Sequence, residues 1–447
     1  MVHGQVLYKD IFDHKGLYIF ALHSLAYLIS NDSFIGIYLI QLIVGFAYGC
    51  ALYKILMLYT DRLRAVIFLP VLIFITYAAR SYCHGDSAEE LMLPMLAFSL
   101  YYLLQYAKGQ KLNLYKYALV GAFAAIAFWI KYTLCGLFFG WILLAFIFEI
   151  RDKSLKRAFA GVGIFLAAFI VATLPVIIYF AVNGAFGDMF DVYIYSNIFV
   201  YTSKGGNTFF NKVGVAIWGF VQSIGYGYLY YIAVIPGFVY LALSKQFVRR
   251  EKIVIFVLYA ITNFLIYAGG RHSAYYGLPN AIFGFTGAVA LCGTAEMQNC
   301  LAKIPSRLIA TAGILLASLL GITFFVSPNI EFMFKKKSDL VQYQFAGIIN
   351  EIPDATILNY GTLDLGFYTT TQTIPNCKYY FKPNIGLEAI MEMQNEWVLE
   401  GKSDFVVCVD TPPENIDLNY TLVAEGRQKY EEKVFDYYLY ELTSHLN

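Results

Sequence analysis

Long apolar runs, broken at short intervals by basic clusters, dominate the first three quarters of the chain. A bilayer core asks for about 20 apolar residues per helix, with about 17–25 usual. Stretches near that length lie at 36–59, 65–79, 90–106, 115–130, 133–149, 158–181, 228–243, 253–268, 275–293 and 307–326. This pattern predicts about ten spans. Two shorter runs, 17–30 and 213–224, suit interfacial or re-entrant helices better than crossings. From about 338 the rhythm changes. Short β-like runs at Ala355–Asn359, Lys378–Phe381, Asp404–Val409, Tyr420–Val423 and Phe435–Leu442 alternate with helical stretches at 339–351 and 385–399, punctuated by Pro353, Pro375, Pro383 and Pro412-Pro413. That alternation predicts a small α/β domain. No glycine-rich phosphate loop occurs in it, so a binding or bracing role is expected. The predicted architecture is an α-helical polytopic membrane domain over 1–326 followed by an α/β domain over 327–447.

Composition agrees. Of 447 residues, 59% are hydrophobic and 14% charged, against about 25% charged in soluble domains. Soluble multidomain, disordered, collagen-like and disulfide-rich classes are excluded. The net charge of +1 hides two unlike parts. Residues 1–326 hold 23 Lys and Arg against 13 Asp and Glu, whereas residues 327–447 hold 9 against 18. Within the membrane part, 16 basic residues fall on one set of loops (Lys54, Arg62/Arg64, Lys108/Lys111/Lys116, Arg151/Lys153/Lys156/Arg157, Lys245/Arg249/Arg250/Lys252, Lys303/Arg307) and 7 on the other. The positive-inside rule makes the first set cytoplasmic. The loops 1–35, 80–89, 182–227 and 269–274, and the C-terminal domain, are then expected outside. The N-terminus shows no signal-peptide pattern. A chain opening in an outer loop with no preceding span suggests that the true start lies upstream and a first helix is missing.

Ionisable residues beside membrane helices are functional candidates, and most of the non-basic ones collect on the outer side. One cluster is Tyr8-Lys9-Asp10-Ile11-Phe12-Asp13-His14-Lys15-Gly16. A lysine at headgroup level beside carboxylates can hold a lipid phosphate while a carboxylate takes a proton. The plainer alternative is a solvated loop with a snorkelling lysine. A second cluster runs from Arg80 through His84, Asp86, Glu89 and Glu90. There Asp86 is expected to cap the next helix with Glu89 facing its dipole, which leaves Glu90 less well explained. The third, Gly269-Gly270-Arg271-His272-Ser273-Ala274-Tyr275-Tyr276, offers Arg271 and His272 to an anionic headgroup, with the tyrosines as interface-belt residues. His14 with its acidic neighbours is the candidate for a divalent ion, and no other cofactor is indicated. Cys377 and Cys408 could pair, a matter that spacing does not decide.

The stretch Gly4-x-x-x-Tyr8-Lys9-Asp10-Ile11-Phe12-Asp13-His14-Lys15-Gly16 resembles the first outer-loop motif of GT-C membrane glycosyltransferases, of the protein-mannosyltransferase and aminoarabinose-transferase type. Gly85-Asp86-Ser87-Ala88-Glu89-Glu90-Leu91-Met92-Leu93-Pro94 is similar to a second motif of bacterial members, and Phe128-Trp129-Ile130-Lys131 and Asn359-Tyr360-Gly361 share the likeness. The resemblance implies sugar transfer from a polyprenyl-phosphate donor to an acceptor hydroxyl at the outer face of the plasma membrane. The acceptor is a glycan, lipid, wall polymer or protein, and no nucleic acid is involved. It further implies that Lys15 contacts the donor phosphate, where this chain has Gly16-Leu17 in place of the usual proline-containing sequence. The general-base Asp of the family would lie before Met1. Asp13 or Asp10 is then expected to orient or deprotonate the acceptor, Arg271 and His272 to assist at the phosphate, and Glu89, Glu90 and Asp86 to hold the donor sugar or position the first loop. The rivals are a transporter or lipid-carrier flippase, which would carry charges near mid-span and repeated topology, and a catalytically dead GT-C-like scaffold.

Overall fold

The computed structural model describes residues 1–200, 208–293, 315, 318–319, 321–322, 334–385, 387–430 and 433–446. The expected span 307–326 and the basic residues Lys303 and Arg307 lie outside the described residues, apart from the isolated positions just given. The chain forms two compact units: the first comprises Met1–Ile37, Val176–Thr202 and Phe332–Asn447, the second Tyr38–Pro175 and Ser203–Glu331.

Among the described residues, twelve α-helices are bounded before the tail: α1 Leu17–Ile29, α2 Ile35–Leu56, α3 Arg62–Tyr77, α4 Ala88–Ala107, α5 Leu114–Lys131, α6 Gly136–Arg151, α7 Leu155–Val182, α8 Phe186–Met189, α9 Phe209–Tyr226, α10 Tyr228–Leu243, α11 Arg249–Tyr267 and α12 Phe285–Cys292. By length and apolarity α2, α7 and the stretch Leu114–Arg151 are long enough to cross a bilayer, which makes this a multi-pass membrane protein. Leu114–Arg151 is itself a hairpin. The Tyr117 hydroxyl near the start of α5 donates to Glu149 near the end of α6 at 3.4 Å, which requires the two helices to run antiparallel. The turn is made at Lys131, whose backbone is extended, and at the 3₁₀ turn Tyr132–Cys135. Glycine permits close helix packing in this unit, as it does in membrane proteins generally. A Cβ at Gly121 of α5 would strike the Phe165 backbone of α7, and one at Gly287 of α12 would strike Ala233 of α10.

Three features depart from the simple hydrophobic count. The 213–224 run is part of α9, bent by 116° against α10 across Gly227. The bend makes the pair a broken span or a re-entrant path, the latter being one of the two readings that its length predicts. The 275–293 run begins as a 3₁₀ helix, Ala274–Gly284, before α12 takes over. The described part of 182–227, expected as loop, is largely helical: α8 continues into a π-helical stretch, Phe190–Val200.

In the first unit the tail adds α13 Val341–Ile349, β1 Ile357–Asn359, α14 Phe367–Thr371, α15 Glu388–Leu399, β2 Phe405–Val409, β3 Tyr420–Tyr430 and β4 Lys433–Leu442. The sheet order is β1-β2-β4-β3, with β1 and β2 parallel and the remaining pairs antiparallel. Strand β2 is apolar throughout because both of its faces are covered. Phe405 and Val407 pack with Phe345, Ile349 and Phe367, and Val406 and Cys408 pack with Val398, Ile416 and Cys377. Cys377 and Cys408 are free thiols in that second layer, not a disulfide. The expected strand Lys378–Phe381 is absent because its carbonyls are used elsewhere. Lys378 O accepts from Phe12 N–H, Tyr379 O from the Gln394 amide, and Tyr380 O from Asn359 N–H and the Tyr368 hydroxyl.

Candidate functional site

Two side-chain clusters, one in each unit, gather the residues that sequence singled out. In the first unit the loop before α1 is a tightly bonded turn. Asp10 accepts Val6 N–H at 2.7 Å through its carboxylate, Asp10 N–H returns to Val6 O, and Tyr8 N–H bonds Ile11 O. Tyr8 sits at φ +70° with its ring stacked on Phe180, the centroids 5.2 Å apart. Burial pushes its phenol well above the ordinary value, with Tyr193 and Asp13 adding to the rise. The hydroxyl therefore stays protonated and donates to Lys15 O at 2.5 Å. Asp13 is nearly buried; its Oδ1 accepts Lys15 N–H at 2.9 Å and lies 3.6 Å from His14 Nδ1. Asn197 donates to His14 O at 2.8 Å, and Phe12 packs edge-on against Tyr379. The loop is thus held by its backbone at almost every residue, while the Lys15 side chain is exposed.

Asp10 therefore spends one carboxylate oxygen on shaping the loop. Asp13 is the acid placed next to Lys15. The tail contributes a residue that sequence reasoning passed over, Asp364. Withdrawal from water raises its carboxyl above the ordinary range, opposed by Gly366 N–H, reinforced by Asp13 and opposed again by Lys15. Nothing in the sequence near Asp364 marks it. It becomes visible only when the tail folds with the first loop. The buried Asn359, at the end of β1, keeps both amide atoms without a hydrogen-bond partner.

In the second unit the loop before α4 ends in a cap. Ser87, not Asp86, is the N-cap, and its hydroxyl accepts Glu90 N–H at 3.1 Å. The sequence Ser87-Ala88-Glu89-Glu90 has capping-box spacing. Glu90 Oε2 reaches back to Asp86 N–H at 2.7 Å and accepts from Gln41 at 3.0 Å, and Tyr82 donates to Oε1. Asp86 sits at φ +54°. The expectation that capping explained Asp86 and Glu89 and left Glu90 over is thereby reversed: Glu90 closes the cap.

Glu89 is left for other work. It is fully buried, and Lys131, 42 residues later at the end of α5, donates to its Oε1 at 2.5 Å. Its Oε2 is buried without a partner. Lys131 Nζ also lies 3.6 Å from the Tyr276 ring centroid and 5.2 Å from that of Tyr275, a cation–π arrangement. The tyrosines assigned to an interface belt are thus packed on the charge pair. His272 lies between the rings of Tyr226 and Tyr267 at 5.5 and 5.9 Å. Burial lowers its pKa, so the imidazole is neutral, and neither ring nitrogen has a hydrogen-bond partner. Arg271 is half-buried beside it. Lys131 closes the stretch Phe128-Trp129-Ile130-Lys131, and no local spacing pairs it with Glu89.

For a metal, the expected ligand His14 has Asp13 beside it. Among the described residues no group of three or more His, Cys, Asp or Glu converges as a metal site.

Residues 14–179 match the family of dolichyl-phosphate-mannose-protein mannosyltransferases. No sequence match is found among curated proteins. In fold the chain is similar to ArnT from Cupriavidus metallidurans bound to undecaprenyl phosphate, with a TM-score of 0.62 at 13% identity over 95% of this chain and 88% of that one. The apo state of the same protein gives 0.59 at 13% identity over 95% and 87%. The fold is thus GT-C-like, as the outer-loop motifs suggested. The matched stretch opens at His14, inside the loop that carries Asp13 and Lys15.

Proposed function

Starting from a multi-pass membrane protein of mannosyltransferase- and aminoarabinose-transferase-like GT-C fold, we propose that the chain transfers a sugar from a polyprenyl-phosphate donor to an acceptor hydroxyl, inverting the anomeric centre, at the outer face of the membrane. The observation that carries this reading is the first loop: a carboxylate and an exposed lysine two residues apart, on a turn fixed by hydrogen bonds. A solved protein of similar fold holds undecaprenyl phosphate, which supports the donor class.

In this reaction the sugar C1 gains positive charge as the bond to the lipid phosphate lengthens, and the leaving phosphate gains negative charge. Lys15, presented by a backbone that need not rearrange, stabilises that phosphate. Asp13 orients the acceptor hydroxyl and takes its proton, and Asp10 keeps the loop in shape. Glu90 and Asp86 position the loop before α4. Arg271 supplies the second unit's own cation for an anionic headgroup. The basic loops face the cytoplasm, and the acidic tail lies outside.

The test is transfer of labelled sugar from a polyprenyl-phosphate monosaccharide by the purified full chain in nanodiscs. Transfer by the wild type and its loss in Lys15→Ala are expected. Normal transfer by Lys15→Ala would overturn the reading.

A further inference from the structure

The second unit contains buried polar capacity that its own architecture does not use. Glu89 is fully buried, one oxygen engaged by Lys131 and the other left without a partner. A carboxylate oxygen out of water without a donor is costly unless something supplies one. On the hairpin that brings Tyr276 against Lys131, His272 also has two buried nitrogens without partners. Glu90, one residue away, has no such vacancy, since Asp86 N–H, Gln41 and Tyr82 all donate to it. Buried atoms without partners also occur elsewhere in this unit, as at Tyr59 and Glu251, but the capacity at Glu89 and the 272–276 hairpin combines a carboxylate oxygen with both nitrogens of an imidazole.

Its chemistry narrows the ligand. The Glu89 and Lys131 charges offset each other, so the pair has no net attraction for an ion. An open carboxylate oxygen accepts hydrogen bonds only and would repel a phosphate. A neutral imidazole donates from one nitrogen and accepts at the other. One acceptor plus one group that does both is the complement of adjacent hydroxyls, each of which donates and accepts. We propose that Glu89 and His272 form a recognition site for the hydroxyls of a neutral sugar ring, with Lys131 as the positioning residue that fixes the Glu89 carboxylate. The proposal rests on the donor class given above. It moves His272 from the phosphate, where sequence had placed it, to the sugar, and it assigns Lys131, which sequence left without a role. Tyr276 holds Lys131 from the other side, so the cation is fixed between a carboxylate and a ring face.

The experiment measures equilibrium binding to the full chain in nanodiscs. The probes are bare polyprenyl phosphate, a panel of polyprenyl-phosphate hexoses and pentoses, and single-deoxy versions of whichever sugar binds tightest. Wild-type protein is expected to bind that sugar-bearing lipid more tightly than bare phosphate, and one deoxy analogue to lose about 10- to 150-fold, the range for a hydrogen bond to a charged group. The charge-balanced double variant Glu89→Gln/Lys131→Met is expected to bind bare phosphate as the wild type does and to lose that discrimination. Lys131→Arg is expected to retain it, because the cation and its ring contact are preserved. Undiminished deoxy discrimination in the double variant, or equal wild-type affinity for every sugar and for bare phosphate, would overturn the proposal while leaving the donor class standing. Failure of bare phosphate to bind the wild type would overturn the donor class itself.

Discussion

At one end of the helical unit, Glu149 accepts from Arg157 Nε at 2.8 Å and from Tyr117, Asp152 is clasped by both terminal nitrogens of Arg250, and buried Glu251 bonds Val248 N–H with Lys108 3.6 Å away. At the other end Glu89 has a single cation, a stack of tyrosines and an open oxygen. Both ends bury acids, and Glu251 also keeps one oxygen without a hydrogen-bond partner, with Lys108 3.6 Å from it, so the difference lies in what accompanies the open oxygen. The first end joins α4, α5, α6, α7 and α11 through pairs that connect one helix terminus to another, so its charges serve architecture. The second adds to the open oxygen of Glu89 the unpartnered imidazole of His272, the two groups assigned above to a sugar. The same contrast separates Glu90 from Glu89 within a single helical turn.

Several perturbations test this division. The largest effect is expected at the exposed lysine of the first loop: Lys15→Ala should lower transfer by about 100-fold or more, the scale for loss of one charge-stabilising group, while the melting temperature stays near wild type. Next comes Glu89→Ala, which strands Lys131 among buried surroundings. Thermal unfolding in detergent should show a loss of about 3–5 kcal/mol, the usual consequence of removing one partner from a buried pair, largely restored by adding Lys131→Met. If Glu89→Ala were as stable as wild type, the pair would have no structural weight. Gly85→Ala should cost about 1–3 kcal/mol, because Gly85 sits at φ +85° and a Cβ there would collide with Gln41 and Tyr82, the two side chains that hold Glu90.

The smallest effect is expected at the opposite end. The Arg250–Asp152 pair is about one third exposed on each side, so Arg250→Ala should cost no more than about 1 kcal/mol and leave transfer unchanged. Hydrogen bonding to Arg250 is the chief cause holding the Asp152 carboxyl below its ordinary value. An acid depressed in the folded state stabilises it above the unfolded pKa and ceases to do so as pH falls through the folded one. The stability gap between wild type and Arg250→Ala should therefore be full at neutral pH and close as pH drops below about 4. A gap that widened on acidification would contradict the assignment.

Hydrophobic runs located α2, α4, α5, α6, α7, α10 and α11 within a few residues, because a helix in lipid must be apolar along its whole length. They did not show the 116° break at Gly227 or the 3₁₀ start of the 275–293 run, since apolarity carries no information about backbone bending. In the tail, β2 was evident from its unbroken apolar run. The sequence pattern predicts β3 only to Val423, because beyond it an exposed edge strand carries Glu425, Arg427 and Lys429 with no buried face to impose alternation. The site followed the same rule. Lys15 and Asp13 are neighbours in sequence and could be read there. The pairing of Glu89 with Lys131, the closeness of Tyr276 and the arrival of Asp364 all depend on residues brought together over long stretches of chain. Glu89 and Glu90 are alike in sequence, and they part only when Ser87 takes the cap.

The most direct test of the central claim is the melting temperature of the full chain in nanodiscs, with and without bare polyprenyl phosphate. A ligand present at 100 times its dissociation constant stabilises the folded state by about 2.7 kcal/mol. The wild type should therefore melt measurably higher with the lipid, and Lys15→Ala should show little or no rise. A wild type indifferent to the lipid, or a Lys15→Ala variant stabilised as fully as the wild type, would contradict the account.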